Sequence, residues 1–343
     1  MFKYNYIFFN AEDNKLRKDP DGYYTICTED LISMDNVELV SYPVDYACYP
    51  IRYLYLLHHS KRLNRYINFP LKKAWFPYYF KTKFKSEDKI CFVILNEHLP
   101  VEYLYYLKNK FPNAKFVKIY RDLMSRFRKS NPDYTDGIMR DIFDIQMSFD
   151  EGEAKKYGYS YFSEFESKID VPISSQYPLS DVFFAGHAKN RLPKLMAAYK
   201  RFSEVGLRCD YYITGVPEEQ RVSYPGIVYA DKPMPYREML YRTVNSRCVL
   251  EINQEGAVGY TSRFLESVMY GKRLITDNIS ISNSKFYNSN YIQCINSIEE
   301  LDAYFVLADV GKVDYHYNGE FSPVKLIEQI DRELTQTEVK KIK

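Results

Sequence analysis

The chain has 343 residues, 46% hydrophobic and 27% charged, with a net charge of +2, which suits two globular domains and excludes a disordered or fibrous chain. No apolar run is long enough to span a membrane, and the N-terminal apolar stretch is too short for a secretion signal, so a cytoplasmic protein is expected. An isoelectric point near 8.0, with no recognisable nucleic-acid module, speaks against a nucleic-acid partner.

In chain order, the apolar run 6–9 predicts a first strand, 12–22 a polar loop, and 37–40 a second strand. Residues 49–84 are aromatic, basic and interrupted by Pro50, Pro70 and Pro77, a pattern that predicts short helices. A strongly apolar strand follows at 90–95, then Asn96, Glu97 and His98, a helix at 101–110 and a strand at 116–120. A helix at 134–142 and a strand at 145–149 complete a first doubly wound, parallel α/β pattern. The pattern then restarts. After an irregular stretch at 163–180 come a strand at 182–185, a helix at 192–205, strands at 209–213 and 226–229, and a helix at 236–244. The expected division is therefore 1–175 for one domain and 176–320 for the next, with 321–343 a C-terminal helix returning towards the first domain plus a basic tail. Six scattered cysteines without a C-x-x-C pair, three of them in apolar runs, read as buried thiols, and five histidines lack metal-ligand spacing.

Residues 245–278 carry most of the chemistry. The apolar run 248–252 leads into a Gly-bearing polar loop, a helix opening at Thr261 or Ser262 and ending at Gly271, and a second apolar run at 274–276. Unpaired N–H groups at that helix start, joined by Tyr260, Thr261, Ser262 and Arg263, form a cradle for an anion such as a diphosphate. Glu266, one turn on, can reach a neighbouring diol; a solvated helix face would contain the same residues. Upstream, Gly186 and His187 end a strand where a loop approaches phosphates, Lys189 and Arg191 follow as candidate phosphate cations, and Thr214 and Gly215 end the next strand as candidate backbone contacts. Ordinary turns and solvated helix-cap charges would look alike there.

The run Gly259-Tyr-Thr-Ser-Arg-Phe-Leu-Glu-Ser-Val-Met-Tyr-Gly-Lys-Arg-Leu-Ile-Thr-Asp-Asn278 resembles the donor-binding segment of bacterial GT-B glycosyltransferases, notably those of capsule and lipopolysaccharide assembly. The resemblance covers 180–278 well and the first half only by pattern. It implies two Rossmann-like domains facing a cleft, a nucleotide-sugar donor as substrate rather than a cofactor, a saccharide or lipid-linked saccharide acceptor, and Glu266 on the donor's ribose. One departure is visible: where retaining members often carry a second Glu eight residues earlier, this chain has Val258, and Glu255 lies eleven residues before Glu266.

An inverting transfer needs a base for the acceptor hydroxyl, and Glu12, Glu97, His98, Asp122 and Asp150 all follow predicted strands. Glu97 and His98 are the preferred candidates, with helix capping as the alternative role. No Asp-x-Asp ends a predicted strand, so no metal is expected, and no G-x-G-x-x-G or P-loop motif supports a dehydrogenase or a nucleotide-triphosphatase. A catalytically inactive glycosyltransferase-like scaffold remains the alternative class.

Between Asp45 and Glu87 there is no acidic residue but there are nine basic ones. Within that window, residues 69–85 interleave Lys72, Lys73, Lys81, Lys83 and Lys85 with Trp75, Phe76, Tyr78, Tyr79, Phe80 and Phe84, the composition of a segment resting on an anionic membrane surface. The alternative is that the aromatics face the core and the lysines reach into water.

Overall fold

The computed structural model describes residues 2–10, 19–40, 44, 46–67, 69–95, 99–253 and 259–342. It divides into two units, Met1–Ser167 with Ser322–Lys343, and Lys168–Phe321.

The sheet of the first unit contains β1 (Asn5–Phe9), β2 (Val37–Val40), β3 (Ile90–Ile94), β4 (Lys115–Tyr120), β5 (Ile145–Ser148) and β6 (Ser160–Tyr161). Its order is β2-β1-β3-β4-β5-β6 with every pairing parallel, so the topology reverses between β1 and β3. The connecting helices are α1 (Tyr23–Cys27), α2 (Tyr49–His59), α3 (Lys61–Tyr66), α4 (Val101–Lys110), α5 (Met124–Ser130), α6 (Asp136–Ile142) and α7 (Glu151–Tyr157). Every residue of β3 is buried, as a strand covered on both faces must be.

The second unit has β7 (Ser180–His187), β8 (Cys209–Thr214), β9 (Ile227–Ala230), β10 (Ser246–Glu251), β11 (Arg273–Thr276) and β12 (Ile292–Cys294), with α8 (Leu192–Glu204), α9 (Tyr236–Asn245), α10 (Ser262–Met269) and α11 (Tyr304–Leu307). Its parallel order β12-β11-β10-β7-β8-β9 reverses between β7 and β10. A ligand of such a sheet binds outside the carboxyl ends of its strands at that reversal.

The last helix, α12 (Pro323–Ile342), belongs to the first unit, where Leu326, Ile327, Ile330 and Leu334 pack with Tyr6, Phe8, Cys91 and Val93. It runs on through 340–342, which the sequence pattern assigns to a tail. The units divide at Ser167 rather than near 175, for a reason in the hydrogen bonds. Ser167 bonds to Cys27 and Asp30 of the first unit, whereas Asn245 of α9 clasps the backbone of Ser174 and Tyr177, and the Tyr270 hydroxyl donates to the carbonyl of Ile169.

The segment 69–85 does not present an aromatic face. Phe76, Tyr79 and Phe80 are buried in the core of the first unit, Trp75 and Phe84 pack against that core, and only Tyr78 of these six aromatics is exposed. Trp75 also donates its indole N–H to His58 Nδ1 at 2.7 Å. The short 3-10 helix Lys72–Tyr78 turns these rings inward, and Lys73, Lys81, Lys83 and Lys85 stay in solvent. No helix among the described residues is long and apolar enough to cross a membrane.

Candidate functional site

At the reversal point of the second sheet two arginines converge. Arg263, in the first turn of α10, donates to the carbonyl of Ala185 and sits over the Phe184 ring, 5.2 Å from its centroid. Arg191, just before α8, is 6% exposed and donates to the carbonyl of His187 at 2.8 Å and to that of Ile252. Both end beside Gly186, where a Cβ would lie 2.6 Å from an Arg263 terminal nitrogen and 3.2 Å from one of Arg191. Only a glycine leaves that space. Among the described residues neither guanidinium is in an ion pair, although both lie near buried carboxylates. Burial first, and the neighbouring Arg263 charge second, press the Arg191 guanidinium down to about 10, so it stays charged at neutral pH.

The carboxylates form a second layer. Glu251 ends β10 fully buried, accepting from the hydroxyls of Thr261 and Thr276. Thr261 is the N-cap of α10 but makes no side-chain cap bond, because its hydroxyl is engaged by Glu251. The first-turn N–H groups of the helix are thus left without the side-chain acceptor an N-cap threonine normally supplies. Glu266 is 1% exposed and accepts from the Tyr236 hydroxyl at 3.0 Å. Burial drives its pKa up to about 7, against the opposing pull of Arg263 and Tyr236. Burial raises Glu251 in the same way.

His187 completes the edge. The Lys189 N–H donates to its Nδ1 at 3.2 Å, so a neutral ring carries its proton on Nε2 and offers that N–H outward as a donor. The ring occupies the space over Gly215, whose φ is +69° and whose Cβ would fall 2.1 to 2.8 Å from three ring atoms. Gly215 therefore serves the histidine, a role not evident from its place at a strand end.

No protein-family model and no curated protein sequence matches the chain. Solved structures do. A mutant of S. aureus TarM in complex with fondaparinux, alpha-GlcNAc-glycerol and UDP is similar at a TM-score of 0.50 and 10% identity, over 77% of this chain and 58% of that one. Sucrose-phosphate synthase from Thermosynechococcus elongatus gives 0.46 at 11% identity, covering 97% and 89%. Anabaena HepE in complex with UDP and glucose gives 0.47 at 11%, covering 98% and 100%. The TarM likeness is one of fold. It shows the two-domain α/β architecture called GT-B. This chain spans 58% of the length of that TarM chain.

Of the residues singled out in the sequence, Gly186, His187, Arg191, Thr261, Arg263 and Glu266 are brought to one strand edge, with Thr214 and Gly215 adjoining through His187. Thr214 is buried and its carbonyl accepts from the Ala188 N–H at 2.8 Å; Ser262 opens α10; Tyr260 packs its ring on Phe264, 4.7 Å between centroids. Lys189 is exposed while Arg191 is buried, which separates two cations the sequence left equivalent. Sequence reasoning passed over Glu251, although a carboxylate inside the apolar run 248–252 is itself a signal, since burying it needs dedicated partners. Tyr236 left no comparable trace. Glu12, Glu97 and His98 lie outside the described residues, as do Glu255 and Val258. Asp150 is a capping residue, accepting from the Glu153 N–H at 2.8 Å to start α7, whereas Asp122 precedes the N-cap of α5, accepts from the Leu123 N–H and pairs with Arg126.

Gly215→Ala is expected to destabilise the second unit by about 1–3 kcal/mol, from the left-handed φ and the displaced ring together. In a His187→Ala background the same change should cost only about 1 kcal/mol, the backbone part alone. A double-mutant cycle of denaturant unfolding measures the difference, and equal costs in both backgrounds would contradict the packing argument.

Proposed function

We propose that this protein is a glycosyltransferase that binds a nucleoside-diphosphate sugar at the carboxyl edge of β7 and β10 and transfers the sugar to a saccharide acceptor. The observation that carries the reading is the pair Arg191 and Arg263, side by side at the reversal point, hydrogen-bonded to backbone carbonyls and, among the described residues, not in an ion pair with any carboxylate. Two fixed cations beside a helix N-terminus match the two phosphates of such a donor. Glu266, buried behind Arg263, supplies acceptor oxygens for the ribose diol, and His187 offers its Nε2–H to a phosphate or sugar oxygen.

In this mechanism the glycosidic C–O bond breaks as the acceptor hydroxyl attacks, and negative charge grows on the leaving diphosphate. Guanidinium groups already held in place stabilise that charge without reorganising at the moment of reaction. The cations and the helix dipole take the part a divalent ion would otherwise play, so we assign no metal. The acceptor's proton goes to a base, which we assign to Glu97 or His98. The resemblance of residues 259–278 to capsule and lipopolysaccharide enzymes supports a cytoplasmic role in cell-surface polysaccharide assembly, with a lipid-linked saccharide as the acceptor class.

The TarM crystal contained UDP, which makes uridine donors the first to try. Thermal unfolding with UDP, GDP and CMP, followed by a panel of nucleotide sugars, tests the proposal. A ligand at a hundred times its Kd should stabilise the protein by about 2.7 kcal/mol, seen as a rise in Tm that persists with EDTA. No response to any nucleoside diphosphate would overturn the reading, and a response that EDTA abolishes would remove the metal-free part of it.

A further inference from the structure

Helix α2 is built the wrong way round for a helix in water. Its inward side is formed by Tyr55, stacked edge-on against Trp75 and Tyr79, and by His59, whose ring lies on Tyr55. At about 100° per residue, Tyr49, Tyr53, Leu54 and Leu57 fall on one arc of roughly 140° on the opposite side. All four are exposed, Leu54 at 57% and Tyr49 at 56%, and no residue of the helix is buried. The apolar surface continues past α3 through Tyr66, 84% exposed, and Leu71, 79% exposed. A soluble surface helix puts charge on that arc. Arg52 is the only Lys, Arg, Asp or Glu in α2.

The charged side chains that the chain supplies around this arc, from 46 to 86, have a single sign. Arg62, Arg65 and Lys73 are exposed on the neighbouring elements, and there is no acidic residue between Asp45 and Glu87. His58 ties the group together, receiving the Trp75 indole N–H and meeting the Pro70 carbonyl at 2.9 Å. Lys83 and Lys85 belong elsewhere, since their backbone N–H groups donate to Glu38 and Asp88.

We propose that α2 and α3 form a membrane-docking surface, with the Tyr49, Tyr53, Leu54 and Leu57 arc inserted at the headgroup boundary of an anionic lipid leaflet and Arg62, Arg65 and Lys73 against its headgroups. Interfacial helices work this way, joining buried apolar area to attraction between basic side chains and acidic lipid. A second copy of the chain is the poorer occupant, because the same acid-free face would bring like charges together. This surface centres on α2 and α3 and takes only Leu71 and Lys73 from residues 69–85, whose aromatics, Tyr78 apart, face the core, and it does not depend on the transferase reading.

Co-sedimentation of the full chain with vesicles of phosphatidylglycerol and phosphatidylcholine, and of phosphatidylcholine alone, tests it. Binding to the anionic vesicles is expected, falling in high salt, and about tenfold or more weaker for Leu54→Glu/Leu57→Glu and for Arg62→Glu/Arg65→Glu. Cys48, exposed at the N-cap of α2 and without a side-chain cap bond, accepts an environment-sensitive dye whose emission should shift to the blue on binding. Wild-type protein that ignores anionic vesicles, Leu54→Glu/Leu57→Glu protein that binds as before, or a dimer in sedimentation velocity that this double variant dissociates would each overturn the proposal. The exposed substitutions leave nucleotide-induced stabilisation unchanged, so failure of docking and failure of the donor site are told apart.

Discussion

Arg263→Ala is expected to weaken nucleoside-diphosphate binding by about a hundredfold, ~2.7 kcal/mol, while the protein stays folded. The change removes a guanidinium that ends within 2.6 Å of the Gly186 Cβ position, and with it the charge-assisted bonds to one phosphate. Arg191 remains, so binding weakens instead of vanishing. The structural cost is smaller, about 1 kcal/mol, because one carbonyl, that of Ala185, loses its donor. Arg263→Lys should recover only part of the affinity, since an ammonium cannot bridge a carbonyl and a phosphate with a fixed fork. Isothermal titration with UDP and GDP reads all three, with exposed Arg247→Ala as the control. Full affinity in Arg263→Ala would move the site away from β7 and α10.

Glu266 should make stability depend on pH in the direction opposite to an ordinary surface carboxylate. In the unfolded chain it titrates near 4.5, whereas burial raises it to about 7 in the folded one. Between those values the unfolded chain has released the proton that the folded protein still holds, so stability falls as pH rises from 4.5 and the loss is complete above about 7. The loss is about 3 kcal/mol, and none of it is present below pH 4.5. Glu251, raised by the same cause, adds in the same direction. Glu266→Gln still accepts from the Tyr236 hydroxyl but has no charge to desolvate. Denaturant unfolding at pH 5 and pH 8 should therefore show the stability difference between wild type and Glu266→Gln changing by about 3 kcal/mol; a difference constant across that range would sink the assignment.

The sequence by itself determined where strands would form, because buried parallel strands such as β3 and β7 are written as apolar runs that few other elements share. It also placed the helix opening at Thr261 and the charged residues after it, since a polar, Gly-bearing loop before an amphipathic run marks a βα turn. Shorter elements escaped. β6 has two residues and β12 three, too few to establish a period, while α7 carried a legible signature that was passed over, Asp150 as N-cap and Gly158 at φ 70° closing it.

What the tertiary structure alone decided is which side of each element faces the protein. Lys189 and Arg191 are two residues apart and equally basic, yet only Arg191 is turned inward, where the carbonyls of His187 and Ile252 hold it. Residues 49–57 and 69–85 are both rich in aromatics, and packing against Tyr79 and Tyr103 drew Phe76 in while Tyr49, Tyr53 and Leu54 were left out. Gly186 and Gly215 could be recognised in the chain only as glycines at strand ends. That one makes room for two guanidinium groups and the other for an imidazole follows from side chains arriving from elsewhere in the chain. Local periodicity records how often a residue returns to the same face, and long-range packing selects the face that is buried.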